Sequence, residues 1–342
     1  MTIKKEINLA IVGTLSLRGK ELQHTLDKIK FPIKKIKFLD PNVKEEYTHL
    51  TEFRGEAQII QSIKKEHLYN MDLVFFTADY QTSINYCSLA KECKFRAIDL
   101  CEVFNSWEDI PLVVSGVNDN ILKKEDYLIA NPHPLSVILS TFLHFINQKF
   151  SLAKALAIAV QPASEYETQG IDELMNQSIG FLNLTKIPKS IFKEQIAFNL
   201  ISQVGQLEED GFTDSEKRIN QEIRRILFLK DLPLSLCLIQ APVFHTYSIM
   251  VFVELNSNPQ LSDLEDTLKK SSLFKTTPPK ASPPSPITTA GKDEIYIGQI
   301  KKDQAIVDGF WFWLVADNLT RGSVLNAIEV AKKILSLDSL PV

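Results

Sequence analysis

The stretch that most constrains this chain is residues 127–146, YLIANPHPLSVILSTFLHFI, where a short apolar run feeds directly into an amphipathic helix. Tyr127, Leu128, Ile129 and Ala130 read as a buried strand, and Val137, Ile138, Leu139, Phe142, Leu143 and Ile146 recur at helical spacing. Between them stand two prolines, Pro132 and Pro134, which fix φ near the helical value and lack an N–H, so they suit a turn and a first helical position. A side chain at such a junction faces the positive end of a helix, where a thiolate or an oxyanion is stabilised. The residue there is Pro134, which offers no nucleophile.

The same strand–helix alternation runs through the chain upstream. INLAIVG (7–13) is a buried strand ending in glycine, a helix follows from about Lys20 to Lys28, and IKKIKFLD is a second strand. A phosphate-binding first turn needs small residues so that the backbone can approach a pyrophosphate. In GTLSLRG the outer positions are Gly13 and Gly19, the middle one is Ser16, and Leu15, Leu17 and Arg18 are bulkier than such a loop normally carries. Asp40 closes the second strand, where a ribose-binding carboxylate would stand, which favours NAD over NADP if either binds, although a solvated loop aspartate is equally expected there. MDLVFFTAD, SINYCSLAKEC and FRAIDL continue the pattern as strand, helix and strand.

From Ser151 the grammar changes. SLAKALAIAV is a long strand, a helix follows QPASEYETQG, and later strands and helices no longer alternate simply, which marks a second, α+β domain. Thr213 with Glu216 three residues on reads as a capping box opening a helix. CLIQAPVFHTYSIMVFVEL is a strand pair or one bent strand, with His245 and Tyr247 on one face if it is regular. The Pro- and Ser-rich segment 271–291 is a long ordered loop, EIYIGQIKKD and GFWFWLVADN form a hairpin, and RGSVLNAIEVAKKIL is a closing helix. In GFWFWLVADN, Phe310 and Phe312 alternate with Trp311 and Trp313, as in a sheet covered on both faces.

A chain of 342 residues with 44% hydrophobic and 23% charged residues can bury a large core without disulfides or metal. The net charge of -4 leaves no basic excess for a phosphate backbone, so nucleic acid is not an expected partner. Cys87, Cys93, Cys101 and Cys237 show no metal-ligand spacing and read as reduced core thiols. With no signal-peptide pattern and no apolar run of membrane-span length, the expected location is cytoplasmic.

The turn ANPHPLS resembles the nucleophile turn of the aspartate-semialdehyde dehydrogenase family, usually Ala-Asn-Pro-Asn-Cys-Ser, at Ala130, Asn131 and Pro132. Further matches keep the family's order: Pro111 to Val114 and Asn118, Gln161 and Ser164 with Gly170, IAFNLI at 196–201, Gly211 to Thr213, and Ala316 to Leu319 with Gly322 and Asn326. The resemblance implies an α/β fold: a Rossmann-like nucleotide-binding domain over 1–131, completed by the helix 321–338, and an α+β dimerisation domain with a mixed sheet over 132–320. It also implies what has changed. On this alignment Pro134 replaces the thioester-forming cysteine and Tyr247 the general-base histidine. Asn105 and Gln240 replace two anion-binding arginines, Ser215 a substrate glutamate, and Arg218 a substrate lysine. Glu165 and Glu167 fall where the family has glycines beside the cofactor. The cofactor-type positions are Gly13, Ser16, Gly19, Asp40 and Asn326.

Of the residues suited to acid–base work, His133 and His245 remain beside Tyr247 and Gln161, and no catalytic group is assigned. The expectation is a divergent, Usg-type member that is not an active semialdehyde dehydrogenase and is retained as a homodimeric binding or interaction protein. One alternative is an NAD(P)-dependent oxidoreductase acting on an aldehyde or oxo group in amino-acid biosynthesis with altered residues. The other is a nucleotide or metabolite sensor. No metal is expected, and NAD or NADP is expected to bind weakly or not at all.

Overall fold

The computed structural model describes residues 6–44, 49–278 and 281–338. The chain divides into two compact units, residues 1–133 with 323–342, and residues 134–322.

The first unit is built around a seven-stranded sheet. Its elements in order are β1 (Ile7–Val12), α1 (Leu17–Lys28), β2 (Ile33–Asp40), β3 (His49–Phe53), β4 (Glu56–Ser62), α2 (Lys65–Leu68), β5 (Leu73–Phe76), α3 (Tyr80–Cys87), α4 (Ala90–Cys93), β6 (Arg96–Asp99) and β7 (Leu128–Ala130). The spatial order is β3-β4-β2-β1-β5-β6-β7, and every pairing is parallel except β3 with β4. β1, apolar but for Asn8, and the fully apolar β5 lie at the centre, as strands covered on both faces must. Leu9, Ile11, Leu22, Leu26, Phe75 and Ile98 pack in one core with Ala327, Ile328, Ala331 and Ile334 of the terminal helix Leu325–Asp338.

The β3–β4 hairpin is not evident from hydrophobic periodicity. It turns through Arg54 and Gly55, both at positive φ, 55° and 78°. Its cross-strand pair Leu50 and Ile59 is exposed, so the burial signal that marks other strands is absent there.

The second unit opens with α5 (Pro134–Phe150) and continues through β8 (Leu152–Gln161), α6 (Glu167–Leu182), α7 (Asp214–Leu227), β9 (Leu234–Gln240), β10 (Tyr247–Leu255), α8 (Leu261–Lys269), β11 (Phe274–Thr276), α9 (Pro286–Thr289), β12 (Ile295–Lys302) and β13 (Gly309–Ala316). The mixed six-stranded sheet runs β11-β12-β13-β10-β8-β9, with β8–β9 and β11–β12 parallel and the rest antiparallel. Phe310, Phe312 and Leu314 point inward and are fully buried. Phe142 of α5 meets Phe312 edge-on, ring centroids 5.0 Å apart, and truncating so enclosed a ring costs about 3–5 kcal/mol.

The opposite face corrects the expectation of a sheet covered on both sides. Trp311 and Trp313 are half-buried, while Leu156 and Ile158 of β8 are 40% and 45% exposed. The strands alternate as read, but among the described residues this face is only partly covered. Cys237 also departs from the core-thiol expectation, being exposed because β9 turns its odd-numbered residues away from the helices.

Between α6 and α7 the backbone is irregular, and two buried side chains of α6 organise it. The Glu173 carboxylate accepts from the N–H groups of Ser190, Ile191 and Phe192 at 2.7, 2.8 and 3.1 Å. Gln177 accepts from Ile196 and Ala197 and donates to the carbonyls of Pro188 and Glu194. Irregular backbone is held in a fixed shape when its polar groups are satisfied in this way. Of the Pro-rich segment, Pro279 and Lys280 lie outside the described residues. Pro284 accepts the Trp313 indole N–H at 2.9 Å, so that part of the segment is tied to the sheet. Among the described residues no helix is long and apolar enough to cross a membrane.

Candidate functional site

Each unit holds one cluster of the residues singled out from the sequence. In the first unit it is the turn between β1 and α1. Gly13 has φ of 94°, and a Cβ there would come within 2.3 Å of the Ala78 nitrogen. A Cβ on Gly19 would come within 2.1 Å of the Gly13 carbonyl oxygen. Gly13 is therefore required by the close approach of the Thr77–Ala78 backbone after β5, and Gly19 by backbone contact within the turn itself. Ser16 caps α1: its Oγ accepts the Gly19 N–H at 2.9 Å and donates to the Gly13 carbonyl at 2.8 Å. Asp40 is buried at the end of β2 and accepts the N–H groups of Leu15 and Asn42, each at 3.0 Å, so its two carboxylate oxygens fasten the turn.

Arg18, in the first turn of α1, reaches over the sheet's carboxyl edge. Its guanidinium donates to the Leu100 carbonyl at 3.2 Å and pairs with Glu102 at 3.5 Å. Glu102 follows β6 and has φ of 62°, in the left-handed region. A carboxylate oxygen of Glu102 and a ring nitrogen of His133 lie within 4.8 Å of each other. His133 is buried, as is Asn105 a few residues beyond Glu102. Asn326 is fully buried: it accepts the Ser115 N–H and donates to the Val113 carbonyl and to Asn131, holding the terminal helix to the 113–115 segment.

The second cluster lies at the carboxyl ends of β8 and β9 and the start of β10. Gln161 donates to Gln240 Oε1 at 3.0 Å, Gln240 donates back to the Gln161 and Ala241 carbonyls, and the Tyr247 hydroxyl donates to Gln161 Oε1 at 3.1 Å. All three residues are buried, Tyr247 completely. The cluster is neutral, and the two amides and the phenol take up one another's hydrogen-bonding capacity. Beside it Asn318 donates to Ser164 and Glu165 and accepts the Thr246 N–H.

His245 does not share a strand face with Tyr247. The strand begins only at Tyr247, and Thr246 before it has φ of 76°, so the chain bends between the two. A β-branched residue in that region is strained. Glu167 is strained as well, with φ 55° and ψ -156°, a conformation nearly confined to glycine.

Pro134 is the first residue of α5. Two residues on, the Ser136 hydroxyl donates to the buried Glu222 carboxylate at 2.7 Å, and Arg218 lies 3.8 Å from the other oxygen of Glu222. Ser215 is half-buried in the first turn of α7. Glu216 completes the capping box with Thr213 and also accepts the Leu238 N–H at 2.8 Å, tying α7 to β9. No cysteine offers an activated thiol in compensation. Burial pushes the Cys87, Cys93 and Cys101 thiols above their ordinary value, and partial desolvation with the nearby Glu216 carboxylate raises that of the exposed Cys237, which keeps all four protonated.

Periodicity did not single out Glu102, Thr246 or the Asn318–Ser164–Glu165 group. For Glu102 a signal existed in DLCEVFN, where an acidic residue stands at a serine of the family pattern. The other two depend on contacts between distant segments.

Residues 8–125 match the family model for the semialdehyde dehydrogenase NAD binding domain, and residues 143–321 that for the semialdehyde dehydrogenase dimerisation domain. The chain is 28% identical over 338 residues to the aspartate-semialdehyde dehydrogenase of Rickettsia bellii (strain RML369-C), covering 97% of this chain and 98% of that one. It is also 28% identical over 345 residues to that of Campylobacter jejuni subsp. jejuni, covering 98% and 99%. Among solved structures, aspartate semialdehyde dehydrogenase II from Vibrio cholerae, complexed with ASA, superposes with a TM-score of 0.92 at 25% identity, covering 97% of this chain and 99% of that one. The two folds, the order of the matched segments and these alignments agree, and the chain belongs to the semialdehyde dehydrogenase family.

Proposed function

We propose that this chain is a homodimeric binding or assembly protein that has kept the semialdehyde dehydrogenase scaffold and given up its covalent chemistry. The observation that carries this reading is the residue at the head of α5. Pro134 has neither a thiol to attack a carbonyl nor an N–H to donate to an oxyanion. The neutral Gln161–Gln240–Tyr247 cluster supports it. A carboxylate substrate needs a guanidinium fork, and a hydride-transfer mechanism through a thioester needs a base that works near neutral pH; an amide and a buried phenol provide neither.

The turn between β1 and α1 does not fit a dinucleotide as it stands. Two of its backbone donors are engaged by Ser16 and Asp40, and the cation nearest the helix start is engaged by Glu102. Homodimerisation is supported by the family's dimerisation domain and by the half-covered sheet face carrying Leu156, Ile158, Trp311 and Trp313. A second copy supplies the missing layer.

The test uses aspartate semialdehyde and NADP without phosphate, conditions under which an acyl-enzyme accumulates because nothing carries the acyl group away. Intact-mass measurement is expected to show the unmodified chain at all times. A mass increase of one acyl group, localised to any side chain, would overturn the reading.

A further inference from the structure

The Arg18–Glu102 pair bears on the turn independently of the bulk of Leu15, Leu17 and Arg18. In an open sheet of this kind a nucleotide lies outside the carboxyl ends of the strands, at the point where the strand order reverses, with its pyrophosphate on the first helix's N-terminus. Here that point lies between β1 and β5. Arg18 sits in the first turn of α1, after β1, and Glu102 sits just after β6, so their ion pair passes over the carboxyl end of β5, which lies between.

We propose that Glu102 is an exclusion residue, its carboxylate occupying on Arg18 the place that a phosphate of a nucleotide would take. This inference rests on the reading that the turn does not hold a dinucleotide, and supplies the reason.

Three features make the carboxylate a fixed occupant. A carboxylate and a phosphate present the same kind of oxygen pair to a guanidinium, so they compete for one receptor. The segment carrying Glu102 is held on both sides. The buried Asp99 accepts the Cys101 N–H at 3.1 Å and the Val103 N–H at 2.9 Å, and the Leu100 carbonyl accepts from Arg18 itself. The pair is also partly withdrawn from water, with side-chain exposures of 12% for Arg18 and 16% for Glu102, so a bound phosphate would meet an adjacent negative charge with little screening.

The ligand class recognised once the carboxylate is gone is a nucleoside phosphate. Asp40 remains where a ribose would lie, but its oxygens are engaged with Leu15 and Asn42, so no preference between NAD and NADP follows.

The experiment is calorimetric titration of the full-length protein with NADP, NAD and inorganic pyrophosphate, using wild type, Glu102→Gln, Glu102→Gly and the double variant Arg18→Gln/Glu102→Gln. Glu102→Gly removes the carboxylate and accepts the positive φ without strain, so it serves if the glutamine variant folds poorly. Wild type is expected to bind no tighter than about millimolar, and both single variants to bind roughly tenfold tighter or more. The double variant should lose that gain. Single variants that melt like wild type and bind no better would overturn the inference alone, as would a gain that persists without Arg18. Micromolar binding by wild type would instead overturn the underlying reading of the turn.

Discussion

The two clusters of singled-out residues are held together in different physical ways. In the first unit the turn carries a largely buried ion pair between Arg18 and Glu102, the latter on a pinned loop. In the second, Gln161, Gln240 and Tyr247 form a neutral hydrogen-bonded group with almost no exposure. A single 3.5 Å contact is a weak one, and it can be removed by one substitution. A buried neutral cluster is part of the core, and introducing a charge into it leaves that charge without a partner. The first arrangement is therefore local and reversible, whereas the second is built into the packing of β8, β9 and β10.

This contrast can be broken most forcefully at Gln240. Gln240→Arg, which restores a guanidinium at the family's position, is expected to destabilise the protein by about 3–5 kcal/mol, because the charge would be buried among neutral amides. Denaturant unfolding measures it, and a variant as stable as wild type would mean that the cluster is an open receptor. Tyr247→Phe tests the same group more gently: the Gln161 oxygen loses one donor but keeps its side-chain volume, for a cost of about 1 kcal/mol.

Glu167→Gly should move stability the other way. Relief of strain worth about 1–3 kcal/mol exceeds the entropic cost of a glycine, about 0.5–1 kcal/mol, and the melting temperature should rise. A fall would show that the Glu167 side chain does more for the fold than its backbone conformation costs. Smallest of all is Glu102→Gln, expected to change stability by less than about 1 kcal/mol, because the glutamine amide oxygen can still accept from Arg18 across the long 3.5 Å contact. A large loss there would erase the difference between the two clusters.

The sequence displays the fold wherever burial is periodic. β1, β5 and α5 are legible because their apolar residues follow the spacing of a doubly covered strand or a helix stripe. The β3–β4 hairpin is not, since Leu50 and Ile59 point to solvent, and neither is the 183–201 segment, which is ordered by Glu173 and Gln177 from another element. At the site, the identity of each substituted residue could be read directly, Pro134 above all. Its consequence could not. That Gln161, Gln240 and Tyr247 bond to one another, that Glu102 turns back onto Arg18, and that Thr246 bends the chain and separates His245 from Tyr247 all depend on distant segments meeting. Glu216 shows the reverse case: its local capping role was legible, and the structure adds only its bond to Leu238.

The most direct measurement is steady-state NADPH formation by the purified wild-type protein with aspartate semialdehyde and inorganic phosphate, each at saturating concentration for an ordinary enzyme. The account predicts no rate above the protein-free background. Turnover of about 1 per second or faster, within the ordinary range for enzymes, would contradict it and would require a catalytic group other than the one lost at Pro134.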